Sequence, residues 1–320
     1  MTLEMNRIPI FAAAFLLLCS CAGRTAAIDP SEWMTALPDS TPGCEISIPG
    51  AHDACTAGVD DEYSYLRTQV FDISGLWDAG VRSFDLRPAA RGDRMGIFHD
   101  KADTHVSFEE VIATLAGKLE EHPGEFAVVI FRHEQEADST ANWSELMGAF
   151  LRSEAVREVA IGFRPDLTLG ELRGHILFLG RQRYADGPVG GYISGWDDCP
   201  VFDPEVKAGI IGEDGAISPL YVQDHYAPQG REDKLEAVLS TFEGTRGVSV
   251  WTVNHTSAYA SNPFSYGRNA QNVNSEVAER IASAEGHAGI LVTDFAGVDS
   301  FEGFEVCGKK LVDAVIAKNF

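Results

Sequence analysis

The chain has 320 residues, of which 45% are hydrophobic, 10% aromatic and 23% charged, a composition typical of a globular protein with a large core. Its formal net charge of −23 at pH 7 argues against nucleic-acid binding, which needs a basic surface. The same charge argues against docking on anionic membranes through a polybasic patch. An anionic substrate would therefore need a locally basic pocket.

The first residues of the chain are similar to an export signal. A basic residue precedes an apolar run at 8–18, which is shorter than the roughly 20 residues that span a bilayer. Small residues and Cys21 follow, as in a bacterial lipoprotein cleavage site. We therefore predict a lipoprotein-type signal peptide over residues 1–20, acylation of Cys21 and a tether over residues 21–40. The alternative is an ordinary secretory signal cut near residues 26–27, and both interpretations export the protein.

Four cysteines follow Cys21, and none of them suggests a zinc site. They are Cys44, Cys55, Cys199 and Cys307. No pair has the CxxC spacing of zinc ligands. Export permits disulfides, but the sequence does not determine the pairing; Cys44 and Cys55, which bracket a predicted strand, are one candidate pair.

Short aliphatic and β-branched runs recur along the chain and predict eight strands. They lie at residues 45–48, 81–86, 95–98, 126–131, 175–179, 220–222, 248–253 and 289–292. Several are continuously apolar, as expected for parallel strands that are buried on both faces.

Amphipathic helical patterns separate most of these strands. Ser107 and Glu110 form a capping box at the start of one helix, which ends at Pro123-Gly124. Further helices are predicted at about 142–153, 231–242, 274–284 and 305–318, and the Gly-, Pro- and Asp-rich stretch 187–218 predicts a long loop. Strands alternating with helices predict an α/β fold, a (β/α)8 TIM-type barrel over residues 41–320 whose closure need not be regular.

Polar and ionisable residues follow every predicted strand. In chain order they are His52 and Asp53; Asp85 and Arg87; His99 and Asp100; Arg132, His133 and Glu134; Arg181; Asp224, His225 and Tyr226; Asn254 and His255; and Asp294. Active sites of such barrels lie at the carboxyl ends of the strands. The pattern therefore predicts an active site at this end of the barrel.

The residue types in this group indicate acid–base chemistry. Histidines beside carboxylates suit a general acid and a general base, and an arginine between them would bind phosphoryl oxygens. The sequence contains no G-x-S-x-G elbow, no Walker loop and no dinucleotide fingerprint.

Three segments of the chain stand out as motifs: SIPGAHD at 47–53, GVRSFDLR at 80–87 and IFH at 97–99. They resemble the X-domain of bacterial phosphatidylinositol-specific phospholipases C. Weaker matches, QDHY at 223–226 and VTD at 292–294, extend the resemblance over nearly all of the chain that follows the signal. The resemblance implies a barrel enzyme, a lyase that cleaves phosphatidylinositol to diacylglycerol and inositol 1,2-cyclic phosphate. It implies no cofactor and no metal.

The resemblance also implies catalytic roles for five residues. His52 matches the general base that removes the proton of the inositol 2-hydroxyl, and Asp294 matches the carboxylate that orients it. His99 matches the general acid that protonates the departing diacylglycerol oxygen, with Asp53 as its partner. Arg87 matches the arginine that neutralises the phosphoryl oxygens, which is why we expect no metal ion there.

Headgroup-binding residues are implied in the same way. The matched positions are Arg132, Arg181 and Asp224 for the inositol hydroxyls, Tyr226 for the ring, and Trp196 and Asp198 for a loop near the site. Asp85 is included in the substrate site, where it either orients Arg87 or caps the strand end. The sequence departs from the family at Arg132, where relatives have lysine, and at Ala51, where many have a hydroxyl residue.

Two other functions remain open. One is a glycerophosphodiester phosphodiesterase-like barrel enzyme, which would carry metal-binding carboxylates near the first strands. The other is a catalytically inactive surface lipoprotein that binds inositol lipids or glycans. The expected partners are phosphatidylinositol or a glycosylphosphatidylinositol-type lipid and, through the anchor, a membrane surface; nucleic acid is excluded and a monomer is expected.

Overall fold

A closed barrel of nine strands forms the centre of the fold. The structure is a computed structural model, and it describes residues 28–205, 207–259 and 265–320. Its strands are β1 Ile48–Ala51, β2 Ser83–Leu86, β3 Pro88–Arg91, β4 Arg94–His99, β5 Ala102–Ser107, β6 Ala127–Phe131, β7 Ile176–Gly180, β8 Gly191–Ser194, β9 Ala208–Gly212, β10 Ile217–Gln223, β11 Trp251–His255 and β12 Ile290–Thr293. The barrel order is β1, β12, β11, β10, β9, β8, β7, β6 and β2, and β2 closes the ring on β1.

The helices pack around this barrel. They are α1 Ile73–Asp78, α2 Phe108–Glu121, α3 Trp143–Leu151, α4 Glu154–Arg157, α5 Leu169–Leu172, α6 Arg231–Thr245, α7 Tyr266–Ser283 and α8 Gly308–Ala317. The predicted capping box of Ser107 and Glu110 is present at the start of α2. In the described part of the chain no helix is both long enough and apolar enough to cross a membrane. The predicted TIM-type barrel is confirmed.

One predicted barrel strand lies outside the barrel. The run at 95–98 falls within β4, which pairs with β3 and β5 in a separate antiparallel sheet. A tight turn joins β3 to β4, and Gly92 has a φ of +74° there, a conformation that glycine adopts without steric cost. The assignment of this run to the barrel is therefore wrong, because a hairpin turn folds it onto its neighbours in sequence.

The long loop predicted for residues 187–218 is also wrong, since it contains two barrel strands. β8 extends the barrel parallel to β7, and β9 runs antiparallel to β8 and β10. Asp214-Gly215 lies in the turn between β9 and β10, with a φ of +79° at Gly215, as is common in β-hairpins. These two strands bring the barrel to nine.

The start of the described chain packs on the barrel. A 3₁₀ helix at Pro30–Ala36 buries Trp33 and Met34, and the buried guanidinium of Arg82 binds the Ser31 carbonyl oxygen and the Glu125 carboxylate. Residues 30–37 of the predicted tether are thus part of the folded domain. The predicted signal peptide and the predicted acylation site lie outside the described residues.

The four cysteines in the described ranges are free thiols. Cys44 and Cys55 are among these free thiols, so the candidate disulfide between them is wrong.

Candidate active site

Strand register explains why two residues that are far apart in sequence meet. β1 and β12 are parallel neighbours, with Ala51 opposite Thr293. The next residue on each strand is therefore also a neighbour of the other, and these residues are His52 and Asp294. His52 Nδ1 donates a hydrogen bond to Asp294 Oδ1 at 2.8 Å. The bond fixes the ring and leaves Nε2 to face the cavity.

Asp53 lies between the two histidines predicted to act as base and acid. Its Oδ2 is 3.2 Å from Nε2 of His52 and 3.4 Å from Nε2 of His99. The two imidazole rings are 6.3 Å apart, centroid to centroid. Asp53 has a φ of +42°, a conformation that is uncommon for a residue with a side chain and that recurs at active sites.

His99 reaches the site from the end of β4, outside the barrel. Its Nδ1 is 2.8 Å from the Leu66 carbonyl oxygen, which can only accept, so Nδ1 carries the proton of this bond. Nε2 therefore faces Asp53 and the hydroxyl of Tyr266, which is 3.3 Å away. A proton on this nitrogen is available to a bound substrate.

Arg87 completes this group. Its Nη2 donates to Oδ2 of Asp85 at 3.0 Å, and its Nε is 3.2 Å from Oδ1 of Asp53. Burial alone would lower the pKa of Arg87, but the two carboxylates outweigh burial and raise it. Asp85 is buried behind the guanidinium, so the structure places it as the residue that orients Arg87.

Burial and charge set the protonation of the central residues. Burial opposes the positive charge of His52, but the carboxylates of Asp53 and Asp294 outweigh burial and raise the pKa of His52 to about 9. For Asp53, burial favours the neutral acid, but His99, Arg87 and His52 outweigh burial and lower its pKa. The free site thus holds an anionic carboxylate among cationic neighbours.

Arg181, Trp196 and Asp224 form a second group of contacts, in which Arg181 and Asp224 line the same cavity as His52. The Arg181 guanidinium stacks on Trp196 at 4.0 Å from the ring centroid, and its Nη1 is 4.0 Å from Oδ2 of Asp224. Trp196 Nε1 donates to the same carboxylate oxygen at 3.2 Å. Nearby, the Tyr226 hydroxyl donates to Oδ1 of Asp198 at 2.5 Å. These contacts hold donors and acceptors ready for a polar ligand.

The predicted site residues gather around one cavity of about 180 Å³. Eight of the ten line it, namely His52, Asp53, Arg87, His99, Arg132, Arg181, Asp224 and Tyr226. The other two, Asp85 and Asp294, are buried behind Arg87 and His52. Three arginines in one cavity of a chain with net charge −23 form the local basic pocket that an anionic ligand needs.

The sequence analysis assigned no individual role to four further residues at or behind this cavity. Tyr259 and Tyr266 line it, and their segments carry no motif that would identify them. Glu134 interacts electrostatically with Arg87 and Arg132, and burial raises its pKa to about 7. His255 is buried with its ring centroid 6.1 Å from that of His52, and burial lowers its pKa to about 4. Glu134 and His255 each come at or just after the end of a strand, and this position was the only sign in the sequence that they belong to the site.

Three side chains present a possible metal-ligand set. His52, Asp53 and Asp85 offer ligand atoms within 4.8 Å of one another. However, Arg87 already lies 3.0 Å from Asp85 and 3.2 Å from Asp53. A divalent cation bound there would stand beside a permanent positive charge, so this donor set does not fit a metal ion.

Fold and site together define a TIM-type barrel with an acid–base centre for an anionic group. No protein-family model matches the chain. The 1-phosphatidylinositol phosphodiesterase of Staphylococcus aureus is 26% identical over 305 residues, covering 89% of this chain and 94% of that protein. The enzyme of the same name from Listeria monocytogenes is 22% identical over 285 residues, covering 84% of this chain and 82% of that protein.

A solved structure is similar in the same way. A variant of the phosphatidylinositol-specific phospholipase C from Staphylococcus aureus has a TM-score of 0.75 at 24% identity, covering 89% of this chain and 96% of that one. The resemblance to bacterial phosphatidylinositol-specific phospholipases C that the sequence motifs indicate is confirmed over most of the chain.

Proposed function

We propose that this protein is a phosphatidylinositol-specific phospholipase C that releases diacylglycerol and inositol 1,2-cyclic phosphate. The observation that carries the proposal is the arrangement of His52, His99 and Arg87 around the single carboxylate of Asp53. This arrangement supplies a base, an acid and a fixed cation within one small cavity. The names of the similar Staphylococcus and Listeria proteins support the same reaction.

The first half of the reaction uses His52. Its Nε2 takes the proton of the inositol 2-hydroxyl, and that oxygen attacks the phosphorus of the same molecule. Asp294 accepts the Nδ1 proton in a hydrogen bond and so stabilises the imidazolium that forms. The attacking group belongs to the substrate, so no water and no enzyme nucleophile is needed at this step.

The second half uses His99 and Arg87. As the new O–P bond forms, the bond from phosphorus to the diacylglycerol oxygen breaks, and Nε2 of His99 gives this oxygen a proton. Arg87 binds the phosphoryl oxygens, and Asp85 holds its guanidinium in place. A preorganised donor of this kind stabilises the charge that develops in the transition state.

The group of Arg181, Asp224 and Tyr226 selects the headgroup. Arg181 and Asp224 offer a donor and an acceptor to neighbouring hydroxyls of an inositol ring, and Tyr226 lies beside them. A choline headgroup has no hydroxyl to pair with these buried groups. On binding choline, they would lose their hydrogen bonds to water and gain no replacement. Phosphatidylcholine should therefore be a poor substrate.

The experiment that tests this function compares phosphatidylinositol with phosphatidylcholine, with phosphorus NMR of the products. Inositol 1,2-cyclic phosphate from the first lipid, and no product from the second, is the expected result. Cleavage of glycerophosphoinositol without cleavage of the intact lipid would instead identify a glycerophosphodiester phosphodiesterase. No cleavage of any of these compounds would leave a binding protein.

We further propose that the protein is exported, acylated on Cys21 and held at a membrane surface as a monomer. The apolar run at 8–18 and the small residues around Cys21 support this location. An acyl anchor would also bring the acidic domain to its lipid substrate without a basic docking surface, since the anchor supplies the affinity.

A further inference from the structure

Cys199 lines the active-site cavity, together with Asp198 and Tyr226. It is a free thiol and is only partly buried. It also lines a neighbouring groove of about 380 Å³, so both the cavity and the groove border this residue. The proposed phospholipase reaction assigns this thiol no role.

The sulfur is hydrogen-bonded to a base that is itself oriented by a carboxylate. Cys199 Sγ is 3.2 Å from Nδ1 of His225, and Nε2 of His225 is 3.0 Å from Oδ2 of Asp233. A carboxylate can only accept, so it fixes the proton of the neutral ring on Nε2 and leaves a lone pair on Nδ1. That lone pair faces the thiol, which is the geometry that activates a cysteine nucleophile.

Further hydrogen bonds hold the backbone of His225 and the carboxylate of Asp233. The backbone N–H of His225 donates to Oε1 of Gln223 at 2.6 Å, and the buried ammonium of Lys234 donates to the His225 carbonyl oxygen at 2.9 Å. Asp233 Oδ2 also accepts from the Gln229 N–H at 2.8 Å.

We propose that Cys199, His225 and Asp233 form a reactive-thiol site that takes up small disulfides as a mixed disulfide. Nδ1 of His225 accepts the thiol proton, and the Cys199 thiolate attacks one sulfur of the incoming disulfide. The Cys199–sulfur bond forms while the disulfide bond of the reagent breaks. The leaving thiolate takes the proton from the imidazolium, so no further oxidant is consumed.

The modification would close the active-site cavity, because the added group would project into it from Cys199. This consequence rests on the proposed phospholipase function, whereas the reactivity of the thiol does not. Modification of Cys199 would then switch lipid cleavage off, and a reducing thiol would restore it.

The test uses a dithiodipyridine, a neutral disulfide that the charges of the cavity neither attract nor repel. Peptide mass spectrometry of the wild-type protein follows labelling of Cys199 and of Cys307 in the same sample. Cys307 is the internal control, since it is also partly exposed and burial raises its pKa. Cys199 should react faster than Cys307 by roughly tenfold or more, given what an adjacent base contributes to proton transfer.

Two variants separate activation from simple accessibility. His225→Asn keeps a polar group near the sulfur but cannot take its proton, and Asp233→Asn leaves the imidazole without its carboxylate. Both should slow labelling of Cys199 and leave that of Cys307 unchanged, and thermal melting checks that each variant folds. Unchanged or faster labelling of Cys199 in both variants would overturn the proposal, as would equal labelling of the two cysteines in the wild type.

Activity gives the second readout. Labelled wild type should lose phosphatidylinositol cleavage and regain it with dithiothreitol, whereas Cys199→Ser should keep its own untreated activity in the presence of the reagent. If fully labelled protein remains as active as before, closure of the cavity is wrong. If untreated protein has no lipase activity while Cys199 labels rapidly, the proposed function fails and the reactive-thiol site stands.

Discussion

His52 donates a hydrogen bond from Nδ1 to Oδ1 of Asp294 at 2.8 Å, across 242 residues of sequence. Asp294 is buried, and its Oδ2 has no hydrogen-bond partner among the residues that the structure describes. The carboxylate therefore acts on this imidazole, both by holding the ring and by stabilising its positive charge.

The first prediction concerns pH. His52 accepts a proton only when it is neutral, and its carboxylate neighbours raise its pKa to about 9. The base form therefore increases as pH rises, and kcat/KM for phosphatidylinositol should climb well above the pH at which an ordinary histidine, with a pKa of about 6.5, is already neutral. Asp294→Asn removes one negative charge and so lowers the pKa of His52. The rising limb of the pH–rate profile should therefore move to lower pH.

Asp138→Asn is the matched control for the pH shift. Asp138 binds His133 at 2.8 Å and does not line the active-site cavity. Its replacement should leave the limb in place. If Asp294→Asn also leaves the limb where it is in the wild type, Asp294 does not set the protonation of His52.

The second prediction separates the acid from the base. His52→Ala and His99→Ala should each lower turnover of phosphatidylinositol by roughly 10²–10⁴-fold, and the double variant should cost less than the product of the two. With an aryl inositol phosphate, whose leaving group needs no proton, His99→Ala should recover much of its rate. His52→Ala should not, because the attacking hydroxyl still has to be deprotonated.

Circular dichroism and thermal melting of each histidine variant provide the control for folding. The assigned roles would be reversed if His52→Ala were the variant that the aryl leaving group rescues. Near-wild-type turnover of phosphatidylinositol by either single variant would show that the residue is not catalytic.

The third prediction is that Arg87 replaces a metal ion. Arg87→Ala should lower kcat/KM by roughly 10²–10³-fold or more, since a full positive charge is lost with the donors, whereas EDTA should leave the wild type unchanged. Arg91, which is exposed on β3 and stacks on Phe98 at 5.0 Å, is the control arginine, and Arg91→Ala should have little effect. Complete inactivation by EDTA, reversed by calcium, would contradict the arginine mechanism.

The fourth prediction concerns location. Wild-type protein should fractionate with membranes, and Cys21→Ala should move it to a soluble or unprocessed fraction, because it removes the acylated residue. Mass spectrometry of the N-terminal peptide checks for the acyl groups. Recovery of wild-type protein entirely in soluble form after export would favour the ordinary secretory signal.

The fifth prediction concerns stability. Arg82 and Glu125 form an ion pair in which both side chains are fully buried, and Arg82 also binds the Ser31 carbonyl oxygen. Arg82→Ala would leave the carboxylate buried and unpaired, which costs about 3–5 kcal/mol of the free energy of unfolding. Denaturant unfolding measures this loss.

The exposed pair of Arg280 with Glu276 is the control for the buried one. The Arg280 side chain is 62% exposed, so Arg280→Ala should change stability little, because solvent screens such pairs. Equal losses in the free energy of unfolding would show that burial does not make the Arg82 pair more important for stability than the exposed pair.

Local patterns determined much of this protein. Aliphatic runs such as those of β6 and β7 are buried along their whole length, so composition alone identified them as barrel strands. The capping box of Ser107 and Glu110 is a contact within four residues and needs no tertiary partner. The polar residues after each strand were predicted to meet because parallel strands place their carboxyl ends at one edge of a barrel.

Local patterns also misled at two places. The run at 95–98 looks like a barrel strand, but Gly92-Asp93 before it forms a hairpin turn that folds it into an outer sheet. Asp214-Gly215 likewise forms the turn between β9 and β10, which the sequence analysis placed in a long loop. Both dipeptides were readable as hairpin turns.

Only the tertiary structure decided which side chains share the site. The contact of His52 with Asp294 depends on the register of β1 on β12, and a shift of one residue would turn the side chains to the opposite face. His225 had no individual role in the sequence analysis, yet it joins Cys199 to Asp233 because β10 leads into α6 beside the segment after β8. Such contacts depend on strand order and packing, which residues near each other in sequence do not specify.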